Sequence, residues 1–288
     1  MFGCRVAILA IQSQLVAGYV GNSAAGFGLQ LLGREVWPLP TVVLSHHPGH
    51  GGSQGGAIPL PLQASLLDGL AGRGCFARCE AVLSGYLGQA GAAGTVKQAV
   101  ALARAGTPNA VYLCDPVMGD DGQLYVGEDV VTAVRELAAL ADIVAPNGFE
   151  LGVLSGQVCE TRQTALRAMR VVQASGPGIV LLTSFAGADT PAGTLDVMAV
   201  DGARAWRLNI PGLAQKFYGA GDLFAAVFLD AWLPARDTAA AIGKACAILQ
   251  IVLEQTAART ADEMLLIETR QLWANPLTPR GWVAQRIN

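Results

Sequence analysis

The chain is 288 residues long, 52% hydrophobic and 14% charged, with a formal net charge of −3. No basic stripe appears, which argues against nucleic acid as a partner. No run of about 18 apolar residues escapes a glycine, proline or charge, which argues against a membrane span.

The length suits one α/β domain, residues 1–288. The opening Met1-Phe2-Gly3-Cys4-Arg5 lacks the basic start and cleavage site of a signal peptide. The six cysteines are scattered and only Cys75 and Cys79 lie close, so reduced thiols in a cytoplasmic protein fit better than a zinc site. Residues 6–11 read as a strand buried on both faces, ending in the polar tip Gln12-Ser13-Gln14. The segment 18–23 turns into a helix, capped by Asn22 or Ser23 and ended by Gly33. Residues 36–44 form a second strand, and Pro38 and Pro40 suit an edge or an irregular one.

Residues 45–56 hold all three histidines, His46, His47 and His50, among five glycines. No carboxylate or cysteine joins them, so a mobile loop or lid over a pocket is favoured over a metal cluster. Pro59 and Pro61 close the loop before a helix over 62–70, and 73–80 reads as a turn region. Residues 81–88 read as a strand running into the glycine-flanked Tyr86, which is either a rim residue of the core or an aromatic face for a flat ligand. A helix over 95–105 precedes a strand over 110–114, which delivers Asp115-Pro116 to its carboxyl end. In an open α/β sheet that end is where ligands bind, although Asp-Pro also simply starts turns.

After a short extended piece at 124–126 come a helix over 128–140 and a strand over 141–145. Pro146-Asn147-Gly148-Phe149-Glu150 follows, with Glu150 either a first-turn helix acid or part of a cation shell. A helix over 161–174 and a buried strand over 178–184 precede a hairpin of 195–200 and 203–208 across Asp201-Gly202. Leu223, Phe224, Val227, Phe228, Ala231 and Trp232 recur at helical spacing, so Gly219-Ala220-Gly221 forms the turn entering that helix. The amides of such a turn point outward with the positive end of the dipole behind them, which makes an anion site. Asp222 is then either an N-cap or a general base beside a phosphate cradle. A long alanine-rich helix covers 238–258, and the tail with Pro276 and Pro279 reads as irregular. Alternating βα units with one late hairpin imply a mainly parallel central sheet flanked by helices.

No P-loop, no Gly-x-Gly-x-x-Gly after the first strand and no Gly-x-Ser-x-Gly elbow is present. Gly219-Ala220-Gly221-Asp222 instead resembles the anion-hole signature of the ribokinase-like superfamily, a three-layer α/β sandwich. Ala10-Ile11-Gln12-Ser13 with Gly18-Tyr19-Val20-Gly21-Asn22-Ser23, then Ser84-Gly85-Tyr86-Leu87-Gly88, Asp115-Pro116-Val117-Met118-Gly119-Asp120 and Ala145-Pro146-Asn147-Gly148-Phe149-Glu150, resemble pyridoxal kinases in order. The resemblance runs from Val6 to about Leu253.

It implies ATP-dependent phosphorylation of the hydroxymethyl group of a B6 vitamer, with Asp222 as base and Gly219, Ala220 and Gly221 holding the phosphoryl. It further implies that Ser13, Val20, Tyr86, His47 and Pro48 meet the substrate, and that Asp115, Ala145, Asn147, Glu150 and Thr183 lie on the nucleotide side. Asp115 and Glu150 would act near Mg²⁺, a monovalent cation such as K⁺ is a further candidate, and Tyr125 would sit in a flap. A cytoplasmic homodimer acting on small molecules is the corresponding expectation. Three features depart from the family pattern. His46-His47-Pro48 stands where Asn-His-Thr is usual, so Pro48 offers no hydroxyl. The glycine run 49–56 lacks the aromatic residues often found there, and Ala145 replaces a threonine. A hydroxymethylpyrimidine kinase and a non-catalytic vitamer binder are the alternatives.

Overall fold

The structure, a computed structural model, describes residues 6–273 and 281–287. The pentapeptide at the amino end and both tail prolines lie outside these residues. Strand β1 (Ala7–Leu15) occupies the middle of the molecule. Its residues 7–11 are inaccessible to solvent because both faces are covered. With the two-residue period of a strand, Ile8 and Ala10 join one apolar cluster and Leu9 and Ile11 the opposite one.

Helix α1 (Asn22–Leu31) follows β1, with Gly21 rather than Asn22 or Ser23 at its N-cap. Both polar side chains turn to β1 instead: Asn22 Nδ2 donates to the Gln12 carbonyl, and Ser23 Oγ accepts from Leu15 N–H. Strand β2 (Glu35–Leu44) pairs with β1 in parallel, and its two prolines lie in the part that has no partner on the other side. Only Val42, Val43 and Leu44 gain a second neighbour, the short β3 (Gly55–Ala57), which was not anticipated. Helix α2 (Leu60–Gly72) starts two residues earlier than expected, because Pro61 sits in its first turn, where a missing N–H leaves no bond unmade. The stretch 73–80 is a 3-10 turn over Cys75–Arg78 that runs into β4 (Cys79–Ser84). The five described cysteines are all free.

The remaining units alternate: α3 (Ala92–Gly106), β5 (Val111–Cys114), the small hairpin β6 (Gly119–Asp120) and β7 (Gln123–Leu124), α4 (Glu128–Leu140), β8 (Ile143–Val144), α5 (Gly148–Ser155), α6 (Arg162–Ala174) and β9 (Ile179–Phe185). Then β10 (Thr194–Asp201) and β11 (Arg204–Pro211) form the late hairpin, whose turn is Gly202-Ala203, one residue later than expected, since Asp201 still pairs with Arg204. Helices α7 (Ala220–Ala235), α8 (Thr238–Ala258) and α9 (Leu266–Trp273) and the edge strand β12 (Gln285–Ile287) complete the described chain.

Among the described residues ten strands make one sheet in the order β12-β11-β10-β9-β8-β5-β4-β1-β2-β3. The six from β9 to β2 run parallel. Helices α1, α7, α8 and α9 bury their apolar sides on one face of the sheet. Helices α2, α3 and α4, with α5 and α6 towards the β9–β11 end, cover the other. This is the mainly parallel, helix-flanked sheet expected from the alternation and the three-layer sandwich that the resemblance implied. Chain order reverses beside β1, so the carboxyl ends of β1, β4, β5, β8 and β9 surround a switch point.

Candidate active site

The stretches that carry the resemblance lie at or after those strand ends or on the turn into α7, and the histidine loop follows β2. Helix α7 is buried from Leu223 to Asp230, yet its first residues are accessible: Gly221 is exposed and Ala220 is partly so. The N-cap is Gly219, at φ 79°. A side chain there would be strained, and its Cβ would fall 1.9 Å from the Tyr19 carbonyl oxygen. Glycine therefore lets the segment after β1 close against the turn. Asp222 is consequently not the N-cap but the third residue of the helix, one of the two roles left open for it.

Asp222 retains partial contact with solvent. Enough protein surrounds its carboxyl to push its pKa up to about 6, against a lowering hydrogen bond from the Gly21 amide. Gly21 in turn packs directly on Ser13, since a Cβ on Gly21 would fall 2.3 Å from Ser13 Oγ. Ser13, Gly21 and Asp222 are thus consecutive neighbours in space, although more than two hundred residues separate the first from the last.

Asp115, at the end of β5, is 8% exposed. Burial first, then the Glu150 and Asp222 carboxylates, hold its pKa well above the ordinary carboxylate range. Its Oδ2 lies 4.0 Å from where a Cβ of Gly221 would stand, so it faces the turn. Glu150 is buried as well, with its pKa raised by that burial against lowering bonds from backbone amides. It is the third residue of α5 in a capping box: Asn147 N–H donates to Oε2 at 2.9 Å, and Met118 N–H donates to Oε1 at 3.0 Å. Of its two readings, the first-turn acid is the observed contact, and any influence on a cation is exerted past those amides.

Asn147 is engaged at both ends, accepting from Glu150 N–H and donating to the Gly119 carbonyl at 2.9 Å. It fastens the β6–β7 hairpin to α5. Thr183 is half-buried, and its Oγ donates to the Pro146 carbonyl at 3.4 Å. The Ala145 methyl lies in the core, leaving only main chain to meet a ligand. Tyr125 follows the hairpin and is 55% exposed. Desolvation first, then the carboxylates of Glu150, Asp115, Asp222 and Asp120, push the pKa of its hydroxyl above the ordinary range.

Val20 and Tyr86, expected to meet the substrate, are partly buried. The histidine loop is more structured than a glycine-rich lid suggests. Pro48–His50 is a 3-10 turn, His46 Nε2 bonds with the Gly51 carbonyl, and Ser53 Oγ donates to the His46 carbonyl. Among the described residues no group of three histidine, cysteine or acidic side chains converges on a metal position. His46, His47 and His50 each have a different partner. The residues missed from the sequence are Tyr218, which stacks on His47, and Glu263, which accepts from Tyr19 N–H at 3.1 Å across 244 positions. Tyr218 stood in plain view beside the glycine turn, whereas nothing local marks Glu263.

An anion-receiving helix terminus, a carboxylate behind it and buried acids at neighbouring strand tips define a phosphotransferase of the ribokinase-like fold. A family model described as Phosphomethylpyrimidine kinase matches residues 76–264. Pyridoxal kinase PdxY of Granulibacter bethesdensis is 41% identical over 277 residues, which cover 94% of this chain and 97% of the relative. The protein of that name from Corynebacterium diphtheriae is 38% identical, over 93% and 96%. Pyridoxal kinase from Leishmania donovani, solved with ADP and pyridoxamine, superposes with a TM-score of 0.86 at 30% identity, over 98% of this chain and 99% of that one. The Entamoeba histolytica enzyme reaches a TM-score of 0.90 at 22% identity, a likeness of fold. Within the phosphomethylpyrimidine-kinase family, this chain belongs to the pyridoxal kinases, and it is a kinase.

Proposed function

We propose that the chain transfers the γ-phosphoryl group of ATP to the 5′-hydroxymethyl group of pyridoxal, giving pyridoxal 5′-phosphate and ADP in vitamin B6 salvage. Pyridoxine and pyridoxamine are further acceptors. The observation that carries this reading is Asp222, partly open to solvent, with its pKa near 6 at the mouth of α7. It takes the hydroxyl proton, the freed oxygen attacks the γ-phosphorus, and the bond to the bridging oxygen of ADP breaks. The amides of Gly219, Ala220 and Gly221 receive the equatorial oxygens of the moving phosphoryl. Ser13, Val20, Tyr86, His47 and Pro48 take the pyridine ring, while Asp115, Ala145, Asn147, Glu150 and Thr183 lie towards the nucleotide.

Carboxylates whose pKa values are raised by burial, and for Asp115 also by the Glu150 and Asp222 charges, suit a nearby cation. Mg²⁺ is the cation that one or two carboxylates commonly hold together with substrate phosphates and water. Asp115 and Glu150 would hold it, mostly through water, and it would neutralise charge between the β- and γ-phosphates. A monovalent cation such as K⁺ has the same acids to lean on, without the threonine that Ala145 replaces. We take residues 1–288 as one kinase domain that works as a cytoplasmic homodimer.

The test is ATP consumption by purified protein offered pyridoxal, pyridoxine, pyridoxamine and hydroxymethylpyrimidine in parallel. Turnover with pyridoxal supports the proposal. Turnover with the pyrimidine alone transfers the chain to that substrate, and vitamer binding without turnover makes it a binder.

A further inference from the structure

We infer that Tyr218 is a positioning residue that clasps the acceptor-side loop, residues 45–54, onto the turn that receives the phosphoryl group, and so sets acceptor affinity through His47. The inference rests on the function proposed above. Tyr218 is the residue immediately before Gly219, so any contact it makes is transmitted to the turn without an intervening side chain. Its ring stacks on His47 with centroids 3.9 Å apart and planes at 23°. His50 meets it edge-on at 5.3 Å and 84°. Lys216 Nζ stands 6.0 Å from the ring centroid and pairs at 2.6 Å with Asp121, beside the β6–β7 hairpin. Gly49 passes so close that an added Cβ would fall 2.3 Å from the Tyr218 hydroxyl oxygen. The loop and the ring are therefore shaped to each other.

Aromatic stacking stabilises a contact beyond the area it buries. His47 suits the contact because Gly49 N–H donates to its Nδ1, which leaves the proton of the neutral ring on Nε2. Burial first, then His50 and Lys216, push its pKa down to about 4, so the ring carries no charge near neutral pH. The loop has a second anchor in the contact of His50 Nε2 with Glu263 Oε1 at 3.1 Å. The other Glu263 oxygen holds the amide of Tyr19, in the segment that also closes on Gly219. Pro48 has no hydroxyl and residues 45–54 include no phenylalanine, tyrosine or tryptophan, so the partner for the His47 ring is supplied from the other side of the site.

The test uses the full chain with Tyr218→Ala, Tyr218→Phe, His47→Ala and the double variant Tyr218→Ala/His47→Ala. Tyr218→Leu, which fills the space without a ring, serves if the alanine variant does not fold. Amide hydrogen exchange in the absence of ligands should speed up at least ten-fold at Gly49, His50 and Gly51 in Tyr218→Ala and stay near wild type in Tyr218→Phe. In steady-state assays the KM for pyridoxal should rise about ten-fold in both single alanine variants, with the KM for ATP within two-fold. The double variant should be no worse than either single one. Unchanged exchange, an effect on the KM for ATP instead, or additive losses in the double variant would each overturn the clasp. A wild-type protein that phosphorylates no vitamer overturns the B6 reading alone, and the exchange measurement then decides the clasp by itself.

Discussion

Asp222 shows how much one side chain owes to its immediate surroundings. An exposed aspartate is a weak base at neutral pH, because its conjugate acid is too strong to hold the proton of an alcohol even in passing. Burial brings the Asp222 pKa to about 6 and so improves the match. Replacing Asp222 by asparagine keeps the shape and removes the base. Single-turnover and steady-state assays should show kcat about 10²–10⁴-fold lower, while a nucleotide titration should stay within two-fold. Unchanged turnover would remove the assignment. The sign of the pH effect follows from the same shift. Below about pH 6 the carboxyl holds its proton and cannot accept another, so kcat/KM for pyridoxal should fall as pH drops through about 6, not through 4. His47, neutral above about 4, contributes nothing to that limb.

At the scale of elements, the strand tips that carry the site must be held in register, and the least expected device for this is Asp196 on β10. It is completely buried and receives Arg162 Nε at 2.8 Å from α6, Arg207 Nε at 2.7 Å from β11 and Asn209 Nδ2 at 2.8 Å. Burial pushes its pKa up, but the hydrogen bonds from Arg162, Asn209, Arg207 and Thr190 outweigh it and hold the carboxyl below its ordinary value. The charge therefore stabilises the fold above the ordinary carboxylate range, and that contribution is lost as pH falls through the depressed value. Asp196→Ala leaves two arginines facing each other without a counter-charge. Urea unfolding at pH 7 should show a loss of about 3 kcal/mol, with the vitamer KM little changed in whatever fraction remains folded. Elements with a strong local signal were legible in the sequence. Thr161 and Asp237 cap α6 and α8, close to where those helices were expected to begin. The strands β3 and β12 were not legible, because three residues carry no period. Each exists only through its neighbour, β2 and β11 respectively.

On the scale of the whole molecule, folding brings Asp115, Glu150 and Asp222 from separate stretches of chain into one poorly solvated group. A carboxyl whose folded pKa lies above its unfolded value withdraws stability as pH rises: nothing below the unfolded value, and its full effect above the folded one. Asp115→Asn should therefore raise the Tm of the ligand-free protein at pH 8. The gain should shrink as pH falls to 4, while phosphoryl transfer is impaired. A variant less stable at pH 8 than at pH 4, relative to wild type, would show that Asp115 is not strained by its neighbours.

What the sequence determined by itself was everything that depends on near neighbours along the chain: the βα alternation, the glycine turn before an apolar helix, Glu150 as a candidate first-turn acid, and acids placed just after strands. Hydrophobic period and turn chemistry act within a few residues and can be read without knowing the fold. Only the tertiary structure decided that the Gly21 amide meets Asp222, that Glu263 reaches Tyr19 and that Tyr218 stacks on His47. Such contacts depend on how strands order themselves across a sheet, and no local pattern encodes a partner more than a hundred residues away.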